Sequence, residues 1–135
     1  MSLTGKTRAL LAAALLALGS AATLSVARAD IADYEFQFVN AAPRTGEAIL
    51  AVQLIDKKTG KYVRDAVIFS TRIDMAPDGM ETMTARIEAM PSSEPGVYLF
   101  KTRLAMAGGW RLSLAAKVQG ETGTVQSRLT LKAAQ

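Results

Sequence analysis

The chain has 135 residues, with 16 lysines and arginines against 12 aspartates and glutamates, and it contains neither cysteine nor histidine. Without cysteine there can be no thiol catalysis, thiolate metal site or disulfide. Without histidine there can be no Ser-His-Asp triad, imidazole acid–base catalysis or typical zinc site.

The N-terminus has the three parts of a secretory signal peptide. Lys6 and Arg8 precede an almost continuous Ala/Leu run at 9–18, and Ala27-Arg28-Ala29 is a small-x-small cleavage pattern. We predict a signal peptide over 1–29, cleavage after Ala29 and a periplasmic location, with an uncleaved membrane anchor as the alternative.

Removal of the signal leaves residues 30–135, which are enough for one domain. Three basic residues leave with the signal, so the remainder carries 13 basic against 12 acidic residues. We find no basic patch with interleaved aromatic residues and therefore expect no nucleic-acid partner.

Apolar and polar residues alternate with period two along most of this domain, and turn residues separate the runs. Residues 48–55 are apolar on both faces, which is typical of a central strand. The pattern predicts an all-β, immunoglobulin-like sandwich of about seven strands. The strand-like segments are 34–38, 48–55, 66–73, 82–90, 97–104, 110–118 and 124–131.

Nothing in the domain favours an enzyme. The acidic residues are dispersed, mostly in predicted turns, and no pair has the spacing of a catalytic dyad. Asp74 and Asp78 flank Met75 and could contact a hard cation, but two carboxylates are too few for a calcium site.

The most specific feature is a cluster of methionines. Met75, Met80 and Met83 follow one another across a Pro-Asp-Gly turn, and Met90 comes seven residues later. Met106 lies in a second predicted loop, which can meet the first because connections cluster at the ends of a sandwich. Thioethers are soft ligands that select Cu(I) and need no deprotonation. Met75, Met80, Met83 and Met106 are therefore the candidate metal ligands.

Packing is the alternative for each of these side chains, because methionine usually fills apolar gaps. Met83 lies on the apolar face of its predicted strand, and Met90 precedes Pro91 at a strand end. Trp110 either forms a cation–π wall beside the metal or, as we favour, is the large core residue of its strand. On the turn itself, Met75 and Met80 are expected to be the most exposed sulfurs.

Three short motifs resemble the FixH/YtkA-like domains. They are MAPDGMETM at 75–83, PGVY at 95–98 and LAMAGGWRL at 104–112. The resemblance implies an immunoglobulin-like sandwich outside the cytoplasmic membrane, with a link to copper handling or to assembly of copper-dependent respiratory enzymes. By position it implies that the four methionines are the copper residues and that Gly108 and Trp110 are structural.

These observations lead to one functional hypothesis and one alternative. The hypothesis is a non-enzymatic periplasmic domain that binds Cu(I) or delivers it to a membrane-protein or copper-chaperone partner. The alternative is a metal-free interaction module whose methionine-rich loop docks a membrane assembly partner.

Overall fold

Two antiparallel β-sheets form the structure, a computed structural model that describes residues 31–40 and 42–135. The predicted signal peptide and its cleavage site lie outside these residues. The described part of the chain contains no helix long and apolar enough to cross a membrane. Its strands are β1 (Tyr34–Asn40), β2 (Gly46–Asp56), β3 (Lys61–Tyr62), β4 (Val67–Met75), β5 (Met80–Ala85), β6 (Ile87–Met90), β7 (Val97–Leu104), β8 (Gly108–Lys117) and β9 (Val125–Ala133).

The strand order confirms the predicted sandwich. The first sheet has the order β1-β2-β7-β6, with β3 also paired to β2, and the second has the order β5-β4-β8-β9. Every strand pair within the sheets is antiparallel. Successive side chains of a strand alternate between the two faces of a sheet, so each sheet turns one row inward to a shared core.

Strand β2 is central, as predicted, because it pairs with both β1 and β7. Leu50, Val52 and Leu54 are buried on its inner face. The apolar residues of its other face are not all buried, since Ile49 is 59% exposed. In an antiparallel sandwich the outer face of a sheet remains in water even where the sequence there is apolar.

Two details separate the observed nine strands from the predicted seven. The two-residue strand β3 pairs with β2 beyond the turn at 57–60. The predicted strand at 82–90 is split, because β5 belongs to one sheet and β6 to the other. Arg86 stands between them, and the buried Thr102 hydroxyl donates a 2.7 Å hydrogen bond to its carbonyl. This bond secures the point at which the chain changes sheets.

The core contains side chains from both sheets. Trp110 is the largest fully buried residue, and Phe36 is next. The ring of Phe36 meets Tyr98 edge to face, with centroids 6.4 Å apart. The Tyr98 hydroxyl donates to Val63 O at 2.8 Å and accepts from Ala66 N at 3.0 Å, which holds the connection between β3 and β4 against the core.

Candidate functional site

A short turn connects β4 to β5, and we refer to residues 75–83 as the methionine turn. The methionine turn contains a single 3-10 segment, Ala76–Asp78, in which Pro77 is the second residue. Gly79 ends it with φ 76°, in the left-handed region that glycine adopts without strain, and donates its N–H to Ala76 O at 2.8 Å. The predicted break at Pro77, Asp78 and Gly79 is therefore confirmed.

The methionine turn packs directly on the loop that precedes β8. Asp78 Oδ2 accepts a 3.0 Å hydrogen bond from Gly109 N, across 31 residues of sequence. Gly108 has φ +133°, and a Cβ added there would overlap Asp78 Oδ2 and lie 3.0 Å from Met75 Cε. A Cβ at Gly109 would lie 2.9 Å from Pro77 Cβ. Residues 108 and 109 must both be glycine, because the methionine turn occupies the space that a side chain at either position would fill.

This contact confirms that the two predicted loops meet at one end of the sandwich. We refer to residues 106–110 as the glycine corner. Trp110 is fully buried, and its Nε1 donates to Met106 O at 3.1 Å. Trp110 is therefore a core residue that fixes the backbone of the corner, and the cation–π alternative is wrong.

Met75 is not on the surface. It is the last residue of β4, and it is 0% exposed. Ile73, two residues earlier, is also fully buried, so the period of the strand carries Met75 into the core. The expectation that Met75 is one of the most exposed sulfurs is wrong, because the strand continues up to the turn instead of ending before it.

Met80 and Met83 flank an open depression on β5. Met80 is half-buried and packs against the core, opposite Met75 in the strand register. Met83 is 37% exposed, so it is not the core residue that simple alternation would make it. The pairing of β4 with β5 is irregular between Asp74 and Met75, which places residues 81–83 opposite no regular partner. Gly79, Met80, Glu81, Thr82 and Met83 line the depression.

Met106 and Met90, the remaining methionines of the described residues, occupy different places. Met106 is 40% exposed on the glycine corner, and it does not line the β5 depression. Met90 is half-buried at the end of β6, where it lines a separate pocket with Pro95 and Tyr98. The structure thus brings Met80 and Met83 to one depression and places Met106 on the adjoining loop.

Two of the three carboxylates of the turn region, Asp74 and Asp78, are already engaged, whereas Glu81 is exposed and lines the depression. Asp78 holds Gly109, whereas Asp74 is 0% exposed. Asp74 Oδ2 accepts from Arg72 Nε at 2.9 Å and from Arg111 Nη2 at 3.3 Å, and Oδ1 accepts from Ala76 N at 3.0 Å. No group of three or more histidine, cysteine, aspartate or glutamate side chains suited to a metal occurs within 31–40 and 42–135.

The surroundings of Asp74 keep it ionised. Burial by itself would raise the pKa of this carboxyl group, because the charged form loses water. The Ala76 N–H and the guanidinium groups of Arg72 and Arg111 outweigh burial and hold the pKa below its ordinary value. No sequence pattern links Arg111 to Asp74, because their contact depends on the register between β4 and β8.

Comparison with known proteins places the chain in a family. The model of the YtkA-like family matches residues 28–115. No curated protein sequence matches the chain.

Several solved structures are similar in fold. A DUF4426 family protein from Pseudomonas aeruginosa PAO1 has 14% sequence identity and a TM-score of 0.56, over 76% of this chain and 91% of that one. The Lin-41 filamin domain has 20% identity and a TM-score of 0.43, over 73% and 90%. The ZirS C-terminal domain has 12% identity and a TM-score of 0.45, over 88% and 86%. At these identities the likeness concerns the fold alone.

Proposed function

Because this chain belongs to the YtkA-like family, we propose that it is an exported, non-enzymatic domain that binds Cu(I) and passes it to a partner protein. Met80 and Met83 hold the ion in this proposal, and Met106 is a third ligand from the adjoining loop. Met75 has a different role, as the buried side chain on which the turn packs.

One observation carries the proposal: two thioether side chains, Met80 and Met83, line the same solvent-open depression. Met80 also packs against the core, whereas Met83 is 37% exposed, so its thioether is accessible to an ion in solution. Met106, 40% exposed on the loop that contacts the turn, adds a third accessible sulfur at this end of the sandwich.

The donor atoms fit a soft monovalent ion. Thioethers select Cu(I), whereas calcium and magnesium require several oxygen ligands. Asp74 and Asp78 are occupied by arginine side chains and by a backbone N–H, so Glu81 is the one carboxylate that lines the depression, too few for a calcium or magnesium site. Thioether sulfur has no proton to lose, so we expect binding to change little with pH in the neutral range.

Because the proposed ligands are exposed, the site is better suited to transferring Cu(I) to a partner than to storing it. Met80 and Met83 are reached from one open side of β5, so a partner can add its own ligands while the ion is still bound. Two or three neutral sulfurs give a site of modest affinity, and such a site can release its ion to a stronger one. Met75, fully buried, could not take part without opening the core.

Anaerobic titration of the full chain with Cu(I) against a competing chelator tests the proposal. We expect one Cu(I) per chain and an affinity at least about tenfold lower in the Met80→Leu/Met83→Leu variant, equivalent to about 1.4 kcal/mol. Met90→Leu is the matched control, because Met90 lies at a separate pocket, and it should bind as the wild type does.

Two results would count against this arrangement. If Met75→Leu abolishes binding and the double variant does not, Met75 takes part in binding and Met80 and Met83 are not the ligands. If the wild type binds Cu(I) no better than the double variant, the domain is not a copper carrier.

The alternative is a metal-free module that docks a membrane assembly partner. The observation in its favour is the separation of the exposed methionines: Met106 does not line the depression formed by Met80 and Met83. Flexible, polarizable methionine side chains adapt well to protein surfaces. This function predicts no Cu(I) affinity in the titration and a partner complex that weakens in Met83→Ala and Met106→Ala.

A further inference from the structure

A second surface, whose residue types differ from those of the methionine turn, lies on the outer face of the β5-β4-β8-β9 sheet. It is a shallow open groove on β4, β8 and β9. We refer to it as the arginine groove; its polar lining is Ser70, Arg72, Arg111, Ser113, Gln126, Ser127 and Arg128.

The strand register explains the shape of the groove. Arg72 on β4 lies opposite Ser113 on β8, and Ser113 lies opposite Arg128 on β9. A short serine thus stands between two long arginines in one row across the sheet. With strands about 4.8 Å apart, the backbones of Arg72 and Arg128 are about 10 Å apart. Arg111, in the next row, lies opposite Asp74.

The groove has an excess of positive charge. Its lining includes three arginines and no acidic residue, and Asp74 is the carboxylate buried beneath Arg72 and Arg111. Asp74 therefore compensates one of three positive charges. Uncompensated charge on a solvent-open surface attracts ligands of opposite sign.

The arginines keep free donor groups. Arg111 Nε is buried and has no hydrogen-bond partner among the described residues. Arg128 is exposed, and no hydrogen bond or ion pair holds it within 31–40 and 42–135. A guanidinium group with free N–H donors is suited to bidentate contact with a carboxylate.

The positions of the arginines favour several carboxylates over one small anion. Arg72 is held toward Asp74 by its Nε, and its Nη2 donates to Glu81 O at 2.9 Å. Held in this way, Arg72 cannot swing across Ser113 to share one ion with Arg128. An extended peptide crossing the strands can offer separate carboxylates, because alternate residues point to the same side about 6.6 Å apart.

We propose that the arginine groove docks an extended acidic segment of a partner protein, with separate carboxylates reaching Arg128 and the Arg72–Arg111 pair. This inference does not depend on copper binding. It requires charge on the partner and the three-strand register of the sheet, and its one link to the methionine turn is the Glu81 carbonyl that holds Arg72.

The test uses a fluorescent peptide with the repeating sequence Ser-Glu and a control peptide in which every glutamate is glutamine. Anisotropy with the full chain should show binding of the acidic peptide alone, weakening as salt is raised. Arg128→Gln should weaken binding about tenfold, because it removes an exposed guanidinium that has no structural partner.

Arg103→Gln is the matched control. Arg103 is exposed on β7, in the other sheet, and its substitution removes the same charge from the chain. It should change the affinity less than about twofold, because a charge farther away than the screening length contributes little. Equal losses in Arg103→Gln and Arg128→Gln would overturn the proposal in favour of non-specific attraction.

Other occupants of the groove give different results, each of which would overturn the proposal. Inorganic phosphate that displaces the peptide one for one at similar concentration would indicate a small-anion site. Arg128-dependent binding to phosphatidylglycerol vesicles without peptide binding would indicate a membrane surface. Arg128-dependent dimerisation in sedimentation experiments would indicate a second copy of this chain.

Discussion

The methionine turn begins at the end of strand β4, and the arginine groove includes residues of the same strand. Each region contains a hydrogen-bonded aspartate, but the two aspartates have different partners. At the turn, Asp78 accepts from the Gly109 backbone and locks two loops together. Beneath the groove, Asp74 accepts from two arginines that line an open surface. One end of the sheet thus presents neutral sulfur and the adjoining face presents positive charge.

This difference shows how a sheet can separate two recognition chemistries. Ile73 and Met75 point into the core, whereas Arg72 and Asp74 belong to the other face of β4. Alternation along a strand places neighbouring residues on opposite faces. Substitutions at residues 72–75 should therefore affect either packing or charge, according to the face that they occupy.

The largest expected effect is the loss of Met75. Met75→Ala should lower the free energy of unfolding by about 4 kcal/mol, because it leaves a cavity in the core beneath the turn. Met83→Ala, which shortens an exposed side chain, should change it by less than about 0.5 kcal/mol. Urea denaturation of both variants measures the contrast; equal effects would show that Met75 is not a packing residue.

The next effect concerns the glycine corner. Gly108→Ala should cost about 3 kcal/mol, because its Cβ would overlap Asp78 Oδ2 and its φ of +133° is strained for alanine. Gly79→Ala has the same kind of backbone strain at φ +76° but nothing within 4 Å of its Cβ, so about 1 kcal/mol is expected. Thermal unfolding of the two variants separates steric overlap from backbone strain.

The third effect, smaller than those of Met75→Ala and Gly108→Ala, concerns the buried charge. Asp74→Asn should cost about 2 kcal/mol at neutral pH, less than for a fully enclosed pair because the Arg72 side chain is 53% exposed. The pKa of Asp74 is lowered in the folded state, so its stabilisation is complete above the ordinary carboxyl pKa of about 3.9. It is lost as pH falls through the lowered value.

Urea denaturation of wild type and Asp74→Asn between pH 7 and pH 2 measures this dependence. The difference between the two proteins should stay constant down to about pH 4 and then shrink. A difference that grows toward low pH would mean that Asp74 is protonated in the folded state.

Sequence periodicity was enough to predict the sandwich and most strand positions, because half-buried strands leave a period-two pattern. It could not reveal that Arg86 separates two strands in different sheets, because the alternation continues through that residue. The position of Met75 was missed for a related reason: the Pro-Asp-Gly signal marks the turn, but not how far the strand extends toward it. The arginine groove depends on cross-strand register, which no single strand encodes.

The different exposed fractions of the methionine side chains also determine the order in which they are oxidised. An oxidant in solution reaches the sulfurs of Met83 and Met106 before that of the enclosed Met75. Conversion to the sulfoxide places a polar oxygen on a side chain that was a soft ligand, while the core keeps its packing. Damage at this end of the sandwich would therefore remove thioether donors from a domain that remains folded.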